Sequence, residues 1–161
     1  MQQKGFSLFE LLIVVVISSV MFTVAIVNWR EFQLRSELTN TTLALVTFLN
    51  QVKSNANFQN RNNAIYIIKE EDQPWRLIVI DNEQNDHDQI FFQFINPNHQ
   101  VEILNKNNDL LSIFHGRRTM AQPATIKLKN DIGGESRIII STRGRIRYCA
   151  YAMQLAGFPK C

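Results

Sequence analysis

From Phe6 to Val27 the chain runs 22 residues with a single charge, Glu10. At 1.5 Å per residue a helix of that length spans roughly 30 Å, the hydrocarbon thickness of a bilayer. A secretory signal has a shorter apolar core with a small-x-small cleavage site behind it. Here the run is followed by Asn28-Trp29-Arg30, which is a poor site for such a cut. Trp29 and Arg30 are residue types that anchor a span at the membrane surface. A plain single-pass anchor leaves Glu10 unexplained, because a carboxylate within an apolar helix is costly in lipid and needs a partner. The residues ahead of the run, Met1-Gln2-Gln3-Lys4-Gly5, form a short leader with one positive charge. A cut after Gly5 would create a new amine on Phe6, about one helical turn from Glu10. That cation on one subunit would neutralise Glu10 of a neighbour as helices pack, a route to ordered assembly out of a membrane.

No Gly or Pro occurs between Phe6 and Gln73, so the first third of the chain lacks helix breakers. Beyond the apolar run, Leu34, Leu38, Leu45, Leu49, Val52 and Ala56 form one stripe at helical period. The pattern predicts one long helix over 6–60, with 6–27 as a transmembrane or assembly segment. The Asn-rich stretch Asn55 to Asn63 ends it. The remainder, 61–161, carries strand signals at 64–69, 75–81, 89–95, 101–104, 110–114, 125–128, 137–142 and 145–149, with Asn130-Asp131-Ile132-Gly133-Gly134 as a hairpin turn. The fold class expected is α+β: a helix with a membrane half and an amphipathic half, the latter packed on an antiparallel β-sheet head.

Charge is polarised along the chain. Asn28 to Gly116 holds 7 basic and 11 acidic residues, net −4, whereas Arg117 to Cys161 holds 9 basic and 2 acidic, net +7. A basic C-terminal quarter suits an anionic partner such as nucleic acid or a lipid surface, or else forms a solvated Arg-rich sheet face. Within it stands Gly144-Arg145-Ile146-Arg147. Glycine permits the positive φ of a tight turn. Alternation along a strand puts Arg145 and Arg147 on one face, about 7 Å apart, a spacing suited to adjacent backbone phosphates. Arg143, Lys160, Arg117 and Arg118 extend the basic set. Asp81, Glu83, Asp86 and Asp88 surround His87, but the glycine and bidentate glutamate of a calcium loop are missing, so a solvated acidic loop is expected. The histidines show no metal or triad spacing. Nothing points to an enzyme, a cofactor or a metal.

The segment Gly5-Phe6-Ser7-Leu8-Phe9-Glu10-Leu11-Leu12-Ile13-Val14 resembles the processing site of type IV prepilins and type II secretion pseudopilins. The resemblance implies a prepilin peptidase that cuts after Gly5 and methylates Phe6, and a role for Glu10 in assembly with other pilins. Near the other end, Arg137-Ile138-Ile139-Ile140-Ser141-Thr142-Arg143-Gly144-Arg145-Ile146-Arg147-Tyr148-Cys149 is similar to the closing hairpin of the FimT/GspH-like family. That family holds minor pilins and a minor pseudopilin. Its Gly-Arg-x-Arg motif, here Gly144 to Arg147, is linked to DNA binding in the minor pilins of naturally transformable bacteria. The resemblance thus covers both ends of the chain, and the middle is compatible with it.

Taken with the residues, the resemblance implies a protein held in the inner membrane of a Gram-negative bacterium with its head in the periplasm, then carried into an extracellular pilus. It implies DNA as a partner, bound without sequence preference through phosphates by Arg143, Gly144, Arg145, Arg147 and Lys160. The alternative is a structural minor pilin or pseudopilin that primes or caps a filament. An exported head sits where disulfides persist, and a bridge between Cys149 and Cys161 would tie down the tail. Free thiols are the alternative, and metal ligation is poorly served without a nearby histidine. Intact-mass analysis of membrane-derived protein should show loss of Met1 to Gly5 with a methyl added on Phe6. A chain still starting at Met1 in cells with an active prepilin peptidase would refute the processing reading.

Overall fold

The computed structural model describes residues 8–81, 90–106 and 110–161. Gly5 and Phe6 lie outside these residues, as do Glu83, Asp86, His87 and Asp88 of the acidic stretch. Helix α1, Leu8–Gln59, is a single helix of 52 residues. The chain divides into two units between Gln33 and Leu34.

In the first unit the helix shows its apolar side chains to the outside: Leu8, Phe9, Val20, Phe22 and Ile26 are all exposed. By length and composition this stretch is able to cross a membrane. Its hydroxyls are paired within the helix. Ser18 Oγ donates to Val15 O (3.0 Å), Ser19 Oγ to Val16 O (2.8 Å) and Thr23 Oγ1 to Ser19 O (2.9 Å). Such pairing is what a hydrocarbon environment demands of a polar side chain. Glu10 lies near the start of the described part of the helix.

In the second unit the helix reverses this arrangement. Leu34, Leu38, Leu45, Leu49, Val52 and Ala56 are all buried, as the spacing of the stripe requires. They form one core with residues of two antiparallel sheets. The strands are β1 (Asn62–Ile68), β2 (Arg76–Asp81), β3 (Ile90–Ile95), β4 (Val101–Ile103), β5 (Leu110–His115), β6 (Met120–Ala121), β7 (Ala124–Asn130), β8 (Glu135–Ile140) and β9 (Ile146–Ala150). One sheet has the order β3-β2-β1-β5-β6 and the other β4-β7-β8-β9. The fold is α+β, a long N-terminal helix packed on antiparallel sheets. Full burial of each Leu in the stripe contributes roughly 1.5–3 kcal/mol.

Asn60 ends the helix. Its φ is 54°, and the Arg61 N–H donates to Ala56 O at 3.1 Å. This is the left-handed C-terminal cap that asparagine, after glycine, adopts most readily. Polar side chains then bolt the helix to the sheets. Thr42 Oγ1 donates to Leu38 O (2.7 Å) and shares a hydrogen bond with Ser136 Oγ of β8 (2.7 Å). Asn130 Nδ2 of β7 donates to Leu34 O (3.2 Å), and Asn63 Nδ2 of β1 to Val52 O (3.1 Å). Asn98 Nδ2 donates to Thr41 Oγ1 (2.9 Å).

Three features depart from the expected strand pattern. Gly116–Arg118 forms one turn of 3-10 helix, followed by the two-residue strand β6, which no periodicity announces. The strand expected over Arg137 to Thr142 is shifted to Glu135–Ile140. The last strand starts at Ile146, so Arg145 belongs to the turn, because its carbonyl closes the turn by accepting from Ser141 N–H at 3.0 Å.

Gly116 sits where β5 meets the end of α1, and its N–H donates to Arg61 O at 3.1 Å. A methyl group there would lie 2.2 Å from Ala56 O and 2.7 Å from Arg61 N. Backbone atoms cannot yield as a side-chain tip does. Gly116→Ala should therefore lower stability by about 1–3 kcal/mol, seen as a lower urea midpoint for the detergent-solubilised protein. An unchanged midpoint would mean that the helix end and β5 are not in contact.

Candidate nucleic-acid interface

The hairpin β8–β9 is closed by Ser141 to Arg145. Gly144 N–H donates to Ser141 O at 2.8 Å, Ser141 N–H to Arg145 O at 3.0 Å, and Arg145 N–H to Ser141 Oγ at 3.1 Å. Gly144 has φ +66°, the left-handed position of a tight turn followed by a bulge, which glycine occupies without steric cost. Arg143, Arg145 and Arg147 are exposed, while Ile146 and Tyr148 between and beyond them are half-buried against the core. Alternation thus leaves the cations outside and the apolar side chains inside.

The turn is held from two sides that lie far away in sequence. A methyl group at Gly144 would stand 3.1 Å from Thr119 O, 3.4 Å from Lys53 Cε and 3.8 Å from Lys53 Nζ. The helix therefore delivers the Lys53 ammonium to the arginine turn. Lys53 follows Val52 at the border of the buried stripe, and nothing in the sequence pattern tied it to the arginine turn. Thr119 has φ 51° and ψ 24°, a left-handed conformation that costs a β-branched residue on the order of 1–3 kcal/mol. It is fixed between the 3-10 turn and β6, whose Ala121 N–H donates to Thr142 O at 2.9 Å. Arg117 is exposed beside this junction.

Lys160 is placed elsewhere. It forms a parallel bridge with Ala150, at the end of β9 remote from Gly144, roughly 20 Å away at 3.3 Å per residue. The tail is pinned there by Ala150 N–H to Pro159 O (2.8 Å) and Cys161 N–H to Ala150 O (3.0 Å). The Tyr148 and Phe158 rings pack at 4.7 Å, and a disulfide joins Cys149 and Cys161 with Cα atoms 5.0 Å apart.

The outer face of the second sheet carries further cations. In the register Lys127↔Arg137↔Cys149 and Ile139↔Arg147, Lys127 and Arg147 are exposed, as is Lys129 one step along β7. Arg137 is already engaged: its Nε donates to Glu135 Oε1 at 2.7 Å, and its guanidinium lies 3.4 Å from the centre of the Tyr151 ring. The Glu135 hydrogen bond holds the Arg137 guanidinium above its usual range, against a smaller opposing effect of burial. A phosphate at Arg137 must compete with that carboxylate, whereas the turn arginines face solvent. Asp81 of the acidic stretch is buried and lies 3.6 Å from Arg61 Nη1.

Residues 1–26 match the family described as the prokaryotic N-terminal methylation motif. The fold is similar to that of the minor pseudopilin EpsH from the type 2 secretion system of Vibrio cholerae, with a TM-score of 0.51 and 12% identity over 71% of this chain and 97% of that one. No curated protein matches the chain by sequence. The chain thus joins an N-terminal methylation motif to a pseudopilin-like fold.

Closing a short loop by a disulfide stabilises by roughly 3 kcal/mol in the chain-entropy model. Cys149→Ser with Cys161→Ser should therefore lower stability by about that amount and expose the tail to proteolysis between Tyr151 and Lys160. Mass mapping of limited digests checks the second effect. A tail as resistant as in the unmodified protein would show that its packing alone suffices.

Proposed function

We propose that this chain is a minor type IV pilin whose head binds extracellular DNA for natural transformation. The observation that carries this reading is the exposed trio Arg143, Arg145 and Arg147 around the Gly144 turn, with Lys53 brought to the same place by α1. Arginine forks pair with phosphate oxygens in a charge-assisted geometry that lysine or a backbone amide does not match. Contacts of this kind position a nucleic acid without reading its sequence. Lys160 and the outer-face lysines Lys127 and Lys129 extend the attraction over a longer stretch of duplex. Before assembly the apolar half of α1 holds the protein in the inner membrane with the head in the periplasm. After cleavage between Gly5 and Phe6, Glu10 guides entry into a pilus that emerges from a Gram-negative cell.

The second reading is a structural subunit that primes or caps a filament without a nucleic-acid ligand. The likeness to a minor pseudopilin of a secretion system favours it.

Duplex binding at several salt concentrations separates the two. Three or four phosphate contacts give a log–log slope of about −3. Arg145→Gln with Arg147→Gln should weaken binding to unrelated duplexes alike and flatten the slope by roughly 2. The fold should be retained, since exposed arginines contribute little to stability. Glu71→Gln, an exposed acidic change on the β1–β2 connection, serves as the control. Salt-insensitive or absent binding by the unmodified protein would leave the structural reading in place.

A further inference from the structure

Beside the arginine turn lies a cavity of about 580 Å³ lined by Asn62, His115, Arg117, Met120, Gln122 and Thr142, with Ala121 at its edge. It falls within the ~300–1,000 Å³ range of small-molecule sites. Its floor follows from strand register. Asn62 is directly opposite His115 across β1 and β5, and His115 is directly opposite Met120 across β5 and β6. Directly opposed residues point to the same face of a sheet, so an amide, an imidazole and a thioether stand in one row. The Asn62 Oδ1 to His115 Nδ1 contact of 3.2 Å holds the first pair together. Met120, at 46% exposure, is the apolar step of the row. Thr142 forms the wall that continues directly into exposed Arg143, and Arg117 forms another wall. The strained Thr119 and the Ala121 to Thr142 hydrogen bond keep that wall against the floor.

We infer that this cavity receives one unpaired nucleotide, its base on the Met120–His115 floor and its flanking phosphates at Arg117 and Arg143. The inference rests on the DNA-binding reading and deepens it by naming the strand state that the corner prefers. A base is flat and aromatic, and stacks on an imidazole or a thioether without regard to its identity. Gln122, Thr142 and Asn62 supply amide and hydroxyl groups for base or sugar edges. A duplex cannot offer a base to such a site, because its bases are stacked and paired and must be extruded at a cost. The arginine turn binds either form through phosphates, but the cavity adds contacts only for a single strand, a frayed end or a gap.

The experiment compares a 20-nucleotide single strand with the matching duplex by fluorescence anisotropy, at fixed salt, using the full chain in detergent. The unmodified protein should bind the single strand at least about fivefold tighter than the duplex. Met120→Ala should abolish that preference while leaving duplex affinity within about twofold. Gln122→Ala is a second, exposed variant for which the fold is not at stake, and should reduce the preference in the same direction. Arg145→Gln with Arg147→Gln should weaken both ligands. Equal affinity of the unmodified protein for the two ligands overturns this inference and leaves phosphate binding standing. Loss of both affinities in Met120→Ala overturns it too. Binding of neither ligand overturns the DNA reading and this inference with it.

Discussion

Two sheets of different strand order share one core because the second half of α1 lies in contact with both. Leu38, Leu45, Leu49 and Val52 are fully buried, and they belong to the same cluster as Ile65 and Leu77 of the first sheet and Ile126 and Ile138 of the second. Every inward strand residue therefore depends on the helix keeping its apolar stripe aimed at the sheets. A hydrophobic stripe is nondirectional, and alone would tolerate some sliding. The polar bolts remove that freedom. Thr42 to Ser136, Asn130 to Leu34 O and Asn63 to Val52 O each join one helix position to one strand position, and each would leave a buried polar group unsatisfied if the register moved.

The same helix determines where the basic turn sits. Its end is set by the left-handed Asn60, after which Arg61 receives Gly116, and the chain from Gly116 leads through the strained Thr119 to the back of Gly144. This succession of close backbone contacts runs from the helix C-terminus to the arginine turn. About two turns before that end, Lys53 leaves the helix on the border of the core and ends beside the same glycine. The cationic corner is thus assembled from a helix, a 3-10 turn and a hairpin.

The two halves of α1 solve opposite problems with one secondary structure. Up to Phe32 the large apolar side chains face outward, and the hydroxyls of Ser18, Ser19 and Thr23 bond to their own helix. This is the arrangement of a segment that must satisfy its backbone internally and be surrounded by lipid or by other helices. From Leu34 the buried face is continuous with the head, and polar side chains reach outward to strands. The boundary between these environments coincides with the division of the chain between Gln33 and Leu34.

Much of this was legible in the residues. The span of the apolar run, the position of Glu10, the buried stripe and most strands follow from periodicities that act within a few residues, as does the positive φ of Gly144. The amphipathic helix and the alternating strands leave one way of pairing their apolar faces, so the α+β class was determined before any contact was known. The short β6 and the left-handed Thr119 were not legible, because each is imposed by a hydrogen bond or a close approach to a partner distant in sequence, whereas the displaced start of β9 follows from the Ser141 N–H to Arg145 O bond that closes the turn. The same holds for the site. Arg143, Arg145 and Arg147 announce themselves by adjacency, but Lys53 is separated from them by about ninety residues, and Lys160, close to them in sequence, is carried to the other end of β9. By itself the sequence determined which segments are helix, strand and basic turn, since those depend on local sterics and on the spacing of apolar groups. Only the tertiary structure decided which cations share a corner and that a cavity lies beside them, since those depend on where the shared core brings distant backbones together.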